Sequence, residues 1–160
     1  MRIMGVSTIL LGSALLLLGI LTACTGPGPI VEGVVDHKTV TGEIENISYT
    51  ILTNRPRSDD RLWIIVQDND YKEFFLEEDR DAVINKSVEY EMSLKYDMIH
   101  YLVSIRLTSQ DNVNKLDIGD TLAYFVNRDD FNKVKIDDEV RFEVSKSVFS
   151  AIERFLEAEN

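Results

Sequence analysis

The sequence predicts a mostly β domain built as a small closed or partly open barrel with a short helix. Two observations support this class. Several stretches alternate apolar and polar residues, as half-buried strands do, and clusters of turn-forming residues separate these stretches. The chain has 160 residues, which is enough for one domain with a sizeable core.

The first 23 residues predict a secretory signal peptide. Arg2 is the only charged residue before Glu32, and an apolar run follows it as far as Leu21. A basic start, an apolar run and small residues, in that order, are typical of a secretory signal. Cys24, the only cysteine of the chain, comes directly after the small residues.

The stretch Leu21-Thr22-Ala23-Cys24 resembles the lipobox of bacterial lipoproteins. The resemblance implies that Cys24 is the first mature residue and carries the lipid. One acyl chain gives only marginal membrane binding, so stable anchoring needs several. An uncleaved signal-anchor helix and an ordinary cleaved signal are the alternatives. All three place the domain outside the cytoplasm, without distinguishing an inner from an outer membrane.

Residues 24–37 are predicted to form a tether, because Gly and Pro alternate from Gly26 to Pro29. The tether leads into a domain at residues 38–108. The apolar parity changes at Glu45-Asn46, so the first strand is expected to carry a bulge there. A hairpin turn is expected at Asp68-Asn69-Asp70.

The predicted elements of this domain are a bulged strand at 39–51, strands at 62–66 and 71–76, a short helix within 77–85, and a hairpin of strands at 88–96 and 99–107. This order resembles the OB-fold, a five-stranded barrel. The resemblance implies a compact β domain with one ligand-binding face.

Residues 109–160 predict an extension packed on the same domain. It consists of a β-hairpin unit with strands at 122–126 and 140–144, a turn or short helix at 129–131 between them, and a C-terminal helix. The helix is expected from Ser147 to about residue 159, because apolar residues recur there at helical spacing; these are Val148, Ala151, Ile152 and Phe155.

Composition and motifs narrow the function. The net charge of −11 argues against a nucleic-acid partner, which needs a basic surface. The sequence predicts no catalytic residue, no metal ligand and no cofactor, since it contains none of the short hydrolase, zinc or nucleotide motifs. His37 lies in the predicted tether, and His100 is expected at the surface or the barrel rim.

Three arginines near one loop give the candidate ligand site. Arg55, Arg57 and Arg61 are close together in an otherwise acidic chain, and Trp63 follows them. We therefore expect a membrane-anchored extracytoplasmic lipoprotein that acts as a non-enzymatic binding or scaffolding module of the cell envelope. Its partner would be an envelope protein, a peptide or a small anionic ligand. The alternative is an envelope enzyme, a carboxylate- or metal-dependent hydrolase whose site the sequence does not reveal.

Overall fold

The computed structural model describes residues 26–56, 62–75 and 81–157. This part of the chain is mostly β, as predicted. The strands are β1 Ile30–Ile44, β2 Ile47–Pro56, β3 Leu62–Val66, β4 Met98–Leu107, β5 Thr121–Val126, β6 Glu139–Val144 and β7 Ile152–Leu156. The helices are a 3-10 helix at Asn69–Phe74, α1 at Lys86–Ser93 and α2 at Arg128–Lys133.

Strand β1 organises the sheet. It pairs antiparallel with β4 over residues 33–43, with β2 over 38–44 and with β6 over 30–34. The strand order is β3-β2-β1-β4-β5, and β6 and β7 branch from the start of β1. One parallel bridge joins Phe125 to Ala151. A closed or partly open barrel was expected, but no ladder among the described residues closes the sheet into a barrel.

The connection between β1 and β2 corrects the first predicted strand. Glu45 and Asn46 have φ angles of 51° and 64°. Two consecutive left-handed residues are typical of a tight hairpin turn. The parity change at 45–46 therefore marks a reversal of the chain and not a bulge. In addition, β1 begins at Ile30, so residues 30–37 belong to the sheet and not to a tether.

Helices replace two predicted strands. Asp68 caps the 3-10 helix by accepting a hydrogen bond from the Asp70 N–H, where a hairpin turn was expected. Asn85 caps α1 in the same way, through the N–H groups of Ser87 and Val88. Side-chain oxygens at these positions satisfy helix N–H groups that have no intrahelical partner. The predicted strands at 71–76 and 88–96 are therefore wrong where the structure describes them. Residues 76–80, which include much of the short helix expected within 77–85, lie outside the described residues.

The burial pattern explains the error at α1. Val88, Met92 and Tyr96 are buried, whereas Tyr90 and Leu94 are exposed. A spacing of four residues places the first two on one helix face, although all five also share the parity of a strand. Tyr96 then packs on Gly42, where a Cβ atom would lie only 2.4 Å from the ring.

The C-terminal prediction is wrong in two respects. Residues 152–156 form strand β7, which pairs with β6, instead of a helix from Ser147. The strands at 122–126 and 140–144 also do not pair with each other as expected, because β5 pairs with β4 while β6 pairs with β1 and β7. Strand pairing with distant residues overrides the local helical spacing here. Residues 158–160 lie outside the described part.

Buried apolar side chains form one core cluster that joins the sheet to both α-helices. Phe131 of α2 packs against Tyr101 of β4, with ring centroids 5.6 Å apart. Tyr124 and Phe142 make an edge-to-face contact at 5.1 Å.

Asp111 is buried at the rim of this core. Its carboxylate accepts hydrogen bonds from the Tyr124 hydroxyl at 2.6 Å, from the Asn114 side chain, and from two backbone N–H groups.

Burial by itself would raise the pKa of Asp111, but these hydrogen bonds outweigh it and lower the pKa. A lowered pKa stabilises the fold above the unfolded-state value, and this contribution is lost as the pH falls through the folded-state value. We expect Asp111→Asn to lower the free energy of unfolding by about 1–3 kcal/mol at neutral pH. The variant should also lose less stability than the wild type as the pH falls. Urea unfolding at neutral and acidic pH measures both. The exposed Asp137→Asn is the control. If the free energy of unfolding depended on pH in the same way in Asp111→Asn and in this control, the expectation would be contradicted.

Candidate functional site

The described residues include two of the four predicted ligand-binding residues. Arg55 is near the end of β2 and pairs in register with Trp63 on β3. Arg55 is exposed, and Trp63 is 45% exposed. The structure therefore brings these two side chains to one place. Arg57 and Arg61, like the predicted lipidation residue Cys24, lie outside the described residues.

Arg55 and Trp63 share the outer face of the sheet with polar side chains. Thr53 and Arg55 have the same parity on β2, and Thr53 pairs with Thr39 of β1. His37 has the parity of Thr39 on β1. Half-buried polar residues are common on this face; they include Thr39, Thr41, Thr50, Thr53 and His100. The opposite face of the sheet carries the core.

Asp36, His37 and Ser104 form a hydrogen-bonded array on this face. His37 Nδ1 is 2.9 Å from Asp36 Oδ2, and His37 Nε2 is 2.9 Å from Ser104 Oγ. The array exists because β1 has a bulge at Asp36, which lets two consecutive side chains lie on one side of the strand. The sequence did not predict this Ser-His-Asp arrangement, since only the register of β1 with β4 brings Ser104 to His37.

Two features of the array do not suit nucleophilic catalysis. Ser104 is only 3% exposed, whereas an attacking hydroxyl must reach a substrate carbonyl. Ser104 also pairs with His37 on one side and with Ala123 on the other. The neighbouring backbone N–H groups of β4 thus serve the two ladders, while an oxyanion hole needs donors aimed at the substrate. We interpret the array as a connection between β1 and β4.

We expect Ser104→Ala to lower the free energy of unfolding by about 0.5–1.5 kcal/mol, the value of one hydrogen bond. Hydrolysis of p-nitrophenyl butyrate by the wild type and by the variant should equal the uncatalysed rate. The exposed Ser48→Ala is the control for stability. Hydrolysis that Ser104→Ala and His37→Gln both abolish would instead establish a serine hydrolase.

The second histidine makes a separate pair. His100 Nε2 lies 2.9 Å from Glu43 Oε1, and the ring packs edge-on against Phe125 at 5.5 Å. His100 is half-buried, whereas it was expected to be exposed or at a barrel rim. Within the described ranges, no group of three or more His, Cys, Asp or Glu side chains is arranged to hold a metal ion.

A buried polar cluster lies beneath the candidate face. Lys38 and Asn54 are opposite each other on β1 and β2, and both are fully buried. Lys38 Nζ donates to Asp81 Oδ1 at 2.9 Å, to the Ala82 carbonyl at 3.2 Å and to the Val134 carbonyl at 3.0 Å. Asn54 accepts from the Ala82 N–H at 3.1 Å and donates to the Trp63 carbonyl at 3.4 Å. The cluster therefore fixes β3 and residues 81–82 against β2.

Strand β3 ends the sheet on this side. Among the described residues it pairs only with β2. Its sequence, Leu62-Trp63-Ile64-Ile65-Val66, contains no charge. An edge strand presents backbone N–H and C=O groups that can pair with another extended chain. Trp63 belongs to this edge strand, and Arg55 lies opposite it on β2.

A cavity of about 430 Å³ lies elsewhere, where β6 branches from β1. It is lined by Glu32, Gly33, Thr108, Glu139, Val140, Arg141 and Leu156. Glu32 Oε1 is 3.5 Å from Arg141 Nε across this cavity. Of the predicted ligand-binding residues that the structure describes, neither Arg55 nor Trp63 lines it.

Comparisons with known proteins give no match to any family model, to any curated protein or to any solved structure. Among the helices in the described ranges, none has the length and apolar character needed to cross a bilayer.

Proposed function

We propose that this chain is an extracytoplasmic lipoprotein, anchored to the membrane through lipid on Cys24, and a non-enzymatic binding module of the cell envelope. The lipobox-like stretch at residues 21–24 supports the anchor. The observation that carries the binding role is the uncharged edge strand β3, beside Arg55 and Trp63.

The partner that suits this edge is an extended peptide or a strand of another envelope protein. Backbone pairing with β3 would supply affinity that does not depend on sequence, while neighbouring side chains would supply selectivity. Trp63 offers a large, partly exposed ring, and aromatic residues are enriched at the energetic centres of interfaces. Arg55, with Arg57 and Arg61, would favour a partner that carries carboxylates or phosphates.

We also propose that residues 38–108 are an opened relative of the OB-fold. The order β3-β2-β1-β4 and the helical segments between β3 and β4 support this relation. In a sheet that is not closed, the outermost strand keeps backbone N–H and C=O groups that no neighbouring strand pairs. This arrangement accords with a binding role for β3.

The binding role can be tested with two variants of the full chain. Ile65→Lys places a charge on the edge strand, and the triple variant Arg55→Ala, Arg57→Ala, Arg61→Ala removes the basic group. Each should lower the recovery of a crosslinked envelope partner by about tenfold, equivalent to about 1.4 kcal/mol. A lysine on an edge strand disfavours pairing with a further chain.

The controls have matched chemistry. Ser48→Lys adds the same charge to an exposed position of β2, and Lys86→Ala, Lys115→Ala, Lys133→Ala removes three exposed positive charges elsewhere. If the test variants and the controls lost partner recovery equally, the change in net charge alone would explain the effect. Unchanged recovery with both test variants would refute β3 and the arginines as the binding site. The ester assay tests a different activity, that of a serine hydrolase built on the Asp36-His37-Ser104 array, and not the carboxylate- or metal-dependent hydrolase that is the alternative function.

A further inference from the structure

The loop between β6 and β7 presents apolar side chains to solvent. We call residues 145–151 the tip loop. Phe149 is 71% exposed, more than any other large apolar side chain in the described residues, and Val148 beside it is 55% exposed. Ser145 Oγ accepts from the N–H groups of Ser147 and Val148, and Ser150 N–H donates to Asn114 Oδ1 at 3.1 Å. The exposed pair is therefore held at both ends.

The chain enters the domain beside this loop. The Val144 N–H donates to the Pro29 carbonyl at 3.0 Å, and the Gly28 N–H donates to the Glu143 carboxylate. Lys146 is the second residue of the tip loop, and its Nζ atom lies 3.4 Å from the Gly26 carbonyl oxygen. Residues 26–29 are thus fixed along β6, and Gly26 lies against the tip loop.

The sequence then limits how far the lipid can be from this place. Cys24 is two residues before Gly26. Two residues of fully extended chain span at most about 7 Å. A lipid on Cys24 would therefore bring the bilayer surface to the end of the domain where Phe149 is exposed.

The charge of the tip loop also suits a membrane surface. The chain contains 28 Asp and Glu residues, yet residues 145–151 contain none, and their one charged residue is Lys146. An aromatic ring beside a lysine is a common pattern at membrane interfaces, where the ring enters the acyl boundary and the ammonium group meets phosphates.

We propose that the tip loop is a second membrane contact, in which Phe149 and Val148 enter the interface of the bilayer that holds the Cys24 lipid. This inference rests on the proposed lipid anchor. The contact would orient the domain as well as retain it. Strand β1 leads away from this end, and its 15 residues place the β1–β2 turn about 45–50 Å along the strand.

The unique cysteine makes the test direct. Once Cys24 is acylated, a single introduced cysteine is the only free thiol of the full-length lipoprotein. Ser147→Cys in the tip loop and Ile47→Cys at the start of β2, opposite the far end of β1, can each carry an environment-sensitive fluorophore. The purified lipoproteins are reconstituted into vesicles of phosphatidylethanolamine and phosphatidylglycerol at a 3:1 ratio (about 25% anionic lipid), with and without lipid spin-labelled near the headgroup.

We expect quenching at position 147 to exceed that at position 47 by at least about twofold, since interfacial residues lie only about 5–10 Å deep. Adding Phe149→Ser should lower the quenching at position 147 towards, but not to, the level of position 47, because the lipid on Cys24 still holds this end of the domain near the bilayer. Ile47→Ser in the Ser147→Cys protein should change nothing, and quenching at position 147 that Phe149→Ser leaves unchanged would refute the tip-loop contact. Equal quenching at both positions in a palmitate-labelled, membrane-bound protein would refute the tip-loop contact alone. A protein that takes up no palmitate would refute the anchor itself.

Discussion

Cys24→Ser is expected to abolish labelling with palmitate and to remove the protein from the membrane fraction. The lipobox-like stretch makes Cys24 the only position for the predicted lipid, since no other cysteine is present. Each buried methylene contributes about 0.8 kcal/mol, and the several acyl chains expected on Cys24 bury many methylenes. The tip loop, with one phenylalanine and one valine, is too small to replace that contribution.

Metabolic labelling, membrane fractionation and the mass of the mature chain measure this effect together. Thr25→Ser, at the next position, is the control and should behave as the wild type. A wild-type chain that stays in the membrane at its precursor mass without taking up palmitate would show that residues 1–23 are a signal anchor.

The second large effect is expected at Lys38. Lys38→Ala should lower the free energy of unfolding by about 3–5 kcal/mol, because it breaks a buried ion pair and leaves buried acceptors without a donor. The lost contacts are those with Asp81 and with the Ala82 and Val134 carbonyls. Lys38 Nζ also lies 4.5 Å from the centroid of the Phe131 ring, and that contact would be lost too.

Denaturant unfolding measures the loss, with the exposed Lys135→Ala as control, expected within about 0.5 kcal/mol of the wild type. Lys38→Met separates packing from hydrogen bonding, since it fills the volume but donates nothing. The Lys38→Met protein should be more stable than the Lys38→Ala protein and less stable than the wild type. A Lys38→Ala protein as stable as the control would show that the buried ammonium makes no net contribution.

Lys38 also predicts a pH dependence. Burial lowers the pKa of Lys38, while the hydrogen bond to Asp81 opposes this shift. Below the lowered pKa both states are charged. Between that value and 10.5, the ordinary lysine pKa, the unfolded chain binds more protons, so stability rises with pH. The wild type should therefore gain stability relative to Lys38→Met as the pH approaches 10.5, and a constant difference would contradict the shift.

Local patterns predicted the strands whose alternation agrees with their pairing. Residues 62–66, 99–107, 122–126 and 140–144 were expected as strands and lie in β3, β4, β5 and β6. The turn or short helix at 129–131 lies in α2. In these segments the local preference and the tertiary environment favour the same structure.

The errors arise where one pattern fits two structures. Val88, Met92 and Tyr96 are four residues apart, and this spacing fits one face of a helix as well as one face of a strand. Asn85 was the available evidence for a helix start, since Asn is favoured at this position. At residues 148–155 the helical spacing was real, but pairing with β6 decided the structure.

The candidate face shows the same division. Arg55 and Trp63 could be chosen from composition, because basic residues are scarce and tryptophan occurs once. The Asp36-His37-Ser104 array could not, because it depends on a bulge and on a register between residues 67 positions apart. Long-range register is decided by the whole sheet, which local sequence does not encode.

The central place of β1 has a mechanical consequence. Tension between the bilayer and a partner on β3 would enter the domain along the axis of β1, which follows directly from the docked residues 26–29. Shear along a strand loads many ladder bonds at once, and β1 is held by β4 on one side and by β6 and β2 on the other. Forced unfolding is governed by the unfolding barrier. If the proposed anchor and partner are both present, β1 would transmit tension between the membrane and the partner before the sheet unfolds.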